Sequence, residues 1–266
     1  LSLQVGSDYI ERNNLLATNL HINASNTNDS LKMYASADHL YLGMMRLPQL
    51  SLSGGAKAGR VQLSVGFNDT VRNSSARIGL EAEPAAERGP NGARTNLYIR
   101  PSHLTSRGET WNLISTRMVI DSASFDVGRF VMQHDEQLLM VRGVASRSEQ
   151  DSLTLRMKDF SLSPLTNFVE RMGYTIDGRG NGEATMKAVL AKGVFTADIA
   201  VDSLRVNQHS VAPLKLSSRW DLRQQRARIY MINRTTQDSV VRGYFSPASG
   251  RYYAEAELDS LPLALL

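Results

Sequence analysis

The chain has 266 residues, 30 Lys+Arg against 26 Asp+Glu, and no cysteine. The missing thiols exclude disulfide frameworks, thiolate zinc sites and cysteine nucleophiles; they also suit an oxidising compartment, where stray thiols are a hazard. A formal charge of +4 over the whole chain is too weak to point to a nucleic-acid binder. With 42% hydrophobic and 21% charged residues, the composition is neither that of a disordered chain nor that of a membrane-spanning one.

The dominant signal is alternation with period two, which places successive side chains on opposite faces of a strand. In chain order it appears first at Val61, Leu63, Val65 and Phe67, with Gln62, Ser64, Gly66 and Asn68 on the other face. Ala76, Ile78, Leu80 and Ala82 repeat it against Arg77, Glu81 and Glu83. From Glu83 to Asn96 the periodicity fades among Pro84, Gly89, Pro90 and Gly92, which reads as a loop and a weak boundary. Leu153, Leu155 and Met157 resume the alternation against Thr154, Arg156 and Lys158.

One segment departs from it. Ser163-Pro164 precedes Leu165, Phe168, Val169 and Met172 at helical spacing, and Gly173 follows, which predicts a short amphipathic helix over 163–172. The glycine run Gly178 to Gly182 then leads back into strands. Phe195, Ala197, Ile199 and Val201 oppose Thr196, Asp198 and Asp202. Leu214, Leu216, Trp220 and Leu222 oppose Lys215, Arg219 and Asp221. Tyr252, Ala254, Ala256 and Leu258 oppose Glu255, Glu257 and Asp259.

Polar punctuators separate these runs: Asn26 to Asp29, Ser53-Gly54-Gly55, Gln133 to Glu136, Asp221 to Gln225 and Pro247 to Gly250. One apolar face per strand is the antiparallel pattern, since strands buried on both faces read as continuous apolar runs. The expectation is an all-β chain of roughly 18–20 mostly antiparallel strands, one every 8–12 residues. Residues 1–266 read as one elongated β segment. The start at Leu1-Ser2-Leu3, with neither a Met nor a signal-like region, reads as a piece of something longer.

A search for reaction chemistry is unproductive. His21, His39, His103, His134 and His209 lie far apart in sequence, without the clustered spacing of metal ligands. The glycines at 178–182 follow the predicted helix, whereas a dinucleotide fingerprint needs a helix after its glycines. A calcium loop opening at Asp177 would put Arg179 at a ligand position and Ala188 where the bidentate Glu belongs. Neither G-x-S-x-G nor H-E-x-x-H occurs. Asp135-Glu136 and Glu255/Glu257 read as solvated surface. The chain is therefore read as a non-enzyme with no catalytic residue, metal or cofactor.

Two features leave alternatives open. Arginine outnumbers lysine 24 to 6, and Arg223, Arg226, Arg228 and Arg234 cluster. That fits bidentate phosphate contacts, lipid headgroups included, or merely a soluble strand face. The triplet Asp-Ser/Thr-apolar recurs at Asp29, Asp69, Asp121, Asp151, Asp202, Asp238 and Asp259. It reads either as turn chemistry opening a strand or as O-glycosylation acceptors on exposed tips.

From about Gln137 onward the wording of the sequence becomes specific. Leu138-Leu139-Met140-Val141-Arg142-Gly143 is followed by Asp151 to Leu155, then by Asp159-Phe160-Ser161-Leu162-Ser163-Pro164-Leu165 and the glycine run. Asp202 to Asn207, Ser218-Arg219-Trp220-Asp221 and Gly243-Tyr244-Phe245-Ser246-Pro247 complete the order. This succession resembles the repeats of the TamB group (translocation and assembly module) in the AsmA-like superfamily. The resemblance covers residues 137–266; residues 1–136 share only the strand-and-turn texture. Neither the N-terminal membrane anchor nor the characteristic C-terminal domain of such proteins is evident.

The resemblance implies a long sheet curved into an open apolar trough, a β-taco, within an inner-membrane-anchored protein of the periplasm. It implies phospholipid transport between inner and outer membrane and a role in outer-membrane assembly. The implied partners are phospholipid acyl chains and, through regions outside this chain, an outer-membrane barrel of the BamA/TamA kind. The residue pattern adds its own reason: exposing hydrocarbon to water costs about 0.8 kcal/mol per CH₂, and a continuous apolar strip would shield it. At about 4.8 Å per strand, 18–20 strands would give a strip on the order of 90 Å.

The candidate groove residues are Val61, Leu63, Val65, Phe67, Leu153, Leu155, Met157, Phe195, Ile199, Val201, Leu214, Leu216, Trp220, Tyr252 and Leu258. The competing expectation is a closed β-sandwich or solenoid acting as scaffold or adhesin without lipid. Alternation alone fits both, because a packed sandwich also has one apolar face per strand.

Overall fold

The structure is a computed structural model and describes residues 1–12, 15–42, 45–106, 108–163, 166, 173–191, 193–246 and 251–256. Among the described residues it is all-β, with 76% in strand and 1% in helix. The twenty strands are β1 (Ser2–Arg12), β2 (Leu15–Thr27), β3 (Ser30–Leu42), β4 (Met45–Lys57), β5 (Arg60–Asp69), β6 (Ser74–Pro84), β7 (Thr95–Ile99), β8 (Ser102–Ser106), β9 (Glu109–Leu113), β10 (Thr116–Ile120), β11 (Ser124–His134), β12 (Gln137–Ser146), β13 (Ser152–Ser161), β14 (Ile176–Lys187), β15 (Val194–Val206), β16 (His209–Ser210), β17 (Leu214–Asp221), β18 (Arg226–Asn233), β19 (Ser239–Ser246) and β20 (Arg251–Ala256). The helix expected over 163–172 falls largely outside the described residues, as do the turn at 247–250 and Leu258.

The chain divides into two compact units. The first comprises Leu1–Ser122 and Phe130–His134, the second Ala123–Arg129 and Asp135–Leu266.

In the first unit, β1 to β6 form a meander in which each strand pairs antiparallel with the next. Two tight connections have both central residues at positive φ, Asn28-Asp29 (51°, 55°) and Ala58-Gly59 (50°, 78°). Such turns match the twist of a hairpin, and Asn, Asp and Gly tolerate that region best. Strand β6 then pairs with two partners, β7 along Leu80–Pro84 and β8 along Ser75–Arg77. The step between them is held by Arg100 N–H donating to Gly79 O, and by Gly79 N–H donating to Ser102 Oγ. β10 continues the ladder beside β7, and β9 beside β8. The most buried large side chains of this unit, among them Ile99, Trp111, Leu113, Met118, Val131 and Met132, gather in β7 to β11.

The connector 85–94, where the sequence loses its periodicity, lies inside this unit between β6 and β7. Ser53-Gly54-Gly55, expected to punctuate strands, instead runs through the interior of β4. The glycines serve close approach rather than a turn: a Cβ on Gly54 would stand 2.3 Å from Gln62 O, and one on Gly55 2.7 Å from Leu31 O.

In the second unit, β12, β13, β14 and β15 pair in sequence, β15 pairs with both β16 and β17, and β17 to β20 complete the ladder. The glycine run Gly178 to Gly182 lies within β14. Leu222, read from sequence as in phase with Trp220, stands past the end of β17 on an exposed turn. A small core of Val211, Leu214 and Val240, with Leu204, Val206, Met231 and Val241 against it, closes one end of the sheet.

The side-chain alternation slips at recurring points. Apolar residues step by three rather than two from Ala17 to Leu20, Leu47 to Leu50, Met157 to Phe160 and Val201 to Leu204. Inside each gap sits a non-glycine residue at positive φ: Asn19 (48°), Gln49 (47°), Asp159 (45°) and Ser203 (52°). A residue in that region interrupts the pleat, and the alternation restarts one residue out of phase. At the first two slips, side chains bridge the strands: Asn19 Nδ2 donates to Asp38 Oδ2 at 2.6 Å, and Asn68 Nδ2 to Gln49 Oε1 at 3.1 Å.

Candidate functional site

Cross-strand partners in an antiparallel ladder share a face, so the registers show which candidate residues the fold brings together. In the second unit one row runs Leu139, Met157, Gly182, Ile199, Leu216, Met231, Val241, each the direct partner of the next. A parallel row runs Val141, Leu155, Ala184, Ala197, Ser218, Ile229, Gly243, Ala254. Beyond it, Leu153 pairs with Met186 and Met186 with Phe195, while Trp220 leads through Ala227 and Phe245 to Tyr252. Ten of the candidate residues therefore lie on one face of this unit, and Leu258 lies outside the described residues.

The burial along these rows is diagnostic. Leu139, Met157, Ile199, Leu216, Met231, Val141, Leu155, Ile229, Leu153, Met186, Phe195 and Trp220 are all only half-buried. Full burial is confined to small members, Ala184, Ala197, Ser218 and Ala227, which sit low between larger neighbours. A packed sandwich reverses this order, because its large inward aliphatics are the most enclosed. At the β20 end Tyr252 is 81% exposed. Along the neighbouring row of Phe160, Gly180, Val201 and Leu214 the face closes: Phe160 is 3% exposed and Leu214 5%. Leu214 thus belongs to the small core, not to the half-open rows.

The first unit repeats the arrangement. Leu3, Ala24, Met33, Gly54, Leu63, Leu80 and Ile99 form one row, and Val5, Ile22, Ala35, Leu52, Val65 and Ile78 another. Val61 stands between Ala56 and Ala82, and Phe67 opposite Ala76. Leu63, Val65 and Phe67 are half-buried, while Val61, Leu3 and Val5 are exposed. Among the described residues, large side chains become fully buried towards β7–β11, where Ile99 is buried, while Ala17, Ala37 and Ala76 are the buried small members elsewhere.

Sequence reasoning missed Leu139, Val141, Met186, Ile229 and Met231, although they extend the same face. For Leu139, Val141 and Met186 the strands carry glycines in apolar slots, Gly143 in β12 and Gly182 in β14, which interrupt the visible period; Ile229 and Met231 lie in β18, where Ile232 on the other face blurs the alternation. The available signal was the phase: each glycine occupies the parity of the apolar residues around it.

The opposite face carries the charge. Arg60 lies 2.7 Å from Glu83 and 3.2 Å from Glu81, which also pairs with Arg100. Glu83 first, then Glu81, push the Arg60 guanidinium above its already high ordinary range. Asp221 accepts from the Arg223 and Gln224 N–H groups and from Arg228 at 2.7 Å. The Gln224 N–H above all, with Arg228, holds its carboxyl below the ordinary value of 3.8. Among the described residues no group of three His, Asp or Glu side chains could hold a metal ion.

Three aspartates of the recurring triplets have structural partners. Asp69, 6% exposed, accepts from Arg72 N–H at 3.1 Å; Asp151 accepts from Ser146 Oγ at 2.7 Å; Asp202 pairs with Arg234. The hydroxyl residues Thr70, Ser122 and Ser203 are exposed, whereas Ser30, Ser152 and Ser239 are half-buried.

Compared with family models, with curated proteins and with solved structures, the chain gives no match.

Proposed function

We propose that the apolar face of each unit shelters lipid acyl chains, and that the chain is a periplasmic segment of a bridge-like lipid-transfer protein of the TamB/AsmA-like kind. On this reading the sheet curves into an open trough. Phospholipid passes along it between inner and outer membrane, with its headgroup in water, and the chain contributes to outer-membrane assembly. The membrane anchor and a barrel partner of the BamA/TamA kind engage other regions of the full-length protein. Transfer of this sort needs no catalytic group and no cofactor.

The observation that carries the reading is the half-burial of the large side chains along the rows from Leu139 to Val241 and from Val141 to Gly243, with full burial there kept for alanine and serine. A face of this kind has apolar area still to be removed from water, at about 25 cal/mol per Å². An acyl chain supplies that cover without needing a fixed jigsaw fit.

The two tryptophans provide the test. Trp111 is 0% exposed in the first unit, and Trp220 is half-buried on the apolar face of the second. A short-chain phospholipid with brominated acyl chains, kept below its micelle concentration, should quench Trp220 in Trp111→Phe and leave Trp111 bright in Trp220→Phe. An unquenched Trp220 at saturating lipid would sink the proposal and favour a scaffold without lipid.

A further inference from the structure

The polar face of β17–β20 has a composition that the acyl-chain reading does not use. It presents Lys215, Arg219, Arg226, Arg228, Arg242 and Arg251. The same strands place two carboxylates on that face, Asp221 and Glu255, the latter opposite Arg242, and Asp198 of β15 pairs with Lys215 at 3.1 Å, so cations still outnumber carboxylates by six to three. Arg219 and Arg228 are direct cross-strand partners, an arrangement that like charges disfavour. Asp221 neutralises Arg228 at 2.7 Å, while Arg219 has no acidic partner among the described residues. Arg228 is in turn partnered by Tyr244, and Tyr244 by Tyr253, whose rings stack at 5.8 Å. The Arg226 guanidinium lies 4.1 Å from the Tyr244 ring centroid. Tyr230, beside Arg242, is exposed.

We infer that this face docks on the anionic headgroup layer of a lipid bilayer, as a site separate from the acyl-chain face of the same strands. The inference rests on the proposed lipid function for its choice of occupant, and on the charge and the tyrosines for its location. Clustered arginines are drawn to anionic headgroups, at a gain of about fivefold in binding per residue near the surface. Guanidinium groups pair bidentately with phosphate. Tyrosine favours the headgroup level, where its ring meets apolar carbon and its hydroxyl meets water. Because side chains alternate, a bilayer held by Arg219, Arg242 and Tyr230 leaves Leu216, Ile229 and Gly243 on the other side of the sheet. Docking and acyl-chain capture therefore do not compete for the same atoms.

The test is co-sedimentation of the full chain with vesicles of phosphatidylcholine alone and of phosphatidylcholine with about a third phosphatidylglycerol. Binding is expected only to the anionic vesicles, and weaker at 0.5 M salt than at 0.05 M, because headgroup attraction is screened. Arg219→Gln with Arg242→Gln should weaken it roughly 25-fold. Ile199→Asp, on the opposite face, should leave it unchanged while abolishing quenching of Trp220 by brominated monomers. Equal binding to both vesicles, or binding that survives the arginine pair, would overturn the docking site. Absence of binding to anionic vesicles at low salt would also overturn it and turn the face towards an acidic protein. In the parent protein, an unquenched Trp220 with intact vesicle binding would count against the acyl-chain reading alone.

Discussion

Gly182 faces Ile199 across the β14–β15 ladder so closely that a Cβ on Gly182 would lie 2.7 Å from the Ile199 Cα and 2.1 Å from Asp198 O. Its φ of 142° is itself one that side-chain-bearing residues rarely adopt. Here the sheet trades a side chain on the apolar row for close contact between backbones. Gly182→Ala should destabilise the protein by about 1–3 kcal/mol, through backbone strain and the forced separation of two strands. Gly92 has φ of 103° with nothing within 4 Å of an added Cβ, so Gly92→Ala should cost less. Chemical denaturation of the two variants side by side checks the order.

Burial on the apolar face divides it into an open part and a closed row, and charge should report the difference. Ile199 and Leu155 are half-buried, whereas Phe160 and Leu214 are nearly sealed. Ile199→Asp and Leu155→Arg should fold, with small losses in melting temperature, yet fail to take up phospholipid. Leu214→Asp should lose several kcal/mol, because its carboxylate would be buried without a partner. Unfolding by all three substitutions would mean that the rows are a packed core.

Alternation at 61–67, 153–157 and 195–201 was enough to read strands and their apolar parity, since a half-covered antiparallel sheet imposes that period directly. The phase slips were present as gaps of three, for instance Val201 to Leu204, but a gap becomes meaningful only once Ser203 is seen at positive φ. The step that splits the ladder into β7 and β8 left a weaker trace. It depends on Arg100 and Ser102 satisfying Gly79 from a distance in sequence, which no local pattern records. The glycines misled most: Ser53-Gly54-Gly55 has turn composition, and its role is set by Gln62 and Leu31 in neighbouring strands. Leu214 carried the same parity as Leu216, and only the packing of Val211 and Val240 around it separates core from open face.

The triplet at Asp69 offers a local test of turn chemistry. Asp69 accepts the Arg72 N–H at 3.1 Å, and its other oxygen lies 3.3 Å from the Arg72 guanidinium. Removing a side chain that caps backbone N–H groups in this way typically costs about 1 kcal/mol. Asp69→Ala should therefore lower stability by that order in recombinant protein. Thr70→Ala, at an exposed hydroxyl, should stay within about 0.5 kcal/mol of the parent. Equal effects at both positions would remove the turn explanation for the recurrence of Asp-Ser/Thr-apolar.

The β17–β18 connection should be sensitive to acid through Asp221. Its carboxyl is held below 3.8 chiefly by the Gln224 N–H, with Arg228 and the Arg223 N–H adding to it. A folded-state value below the unfolded one means that the carboxylate favours the native turn. That contribution is fully present above the ordinary value and fades as pH falls through the lower, folded one. The group caps a surface turn, so the effect is local rather than global. An NMR titration following the Arg223 and Gln224 amides should show their hydrogen-bonded shifts intact near neutral pH and lost only on acidification below 3.8. In Asp221→Asn the same amides should keep a weaker acceptor, their shifts should no longer titrate, and Arg228 should lose its ion pair. Shifts that move at neutral pH, or that titrate unchanged in the Asn variant, would show that another group governs the turn.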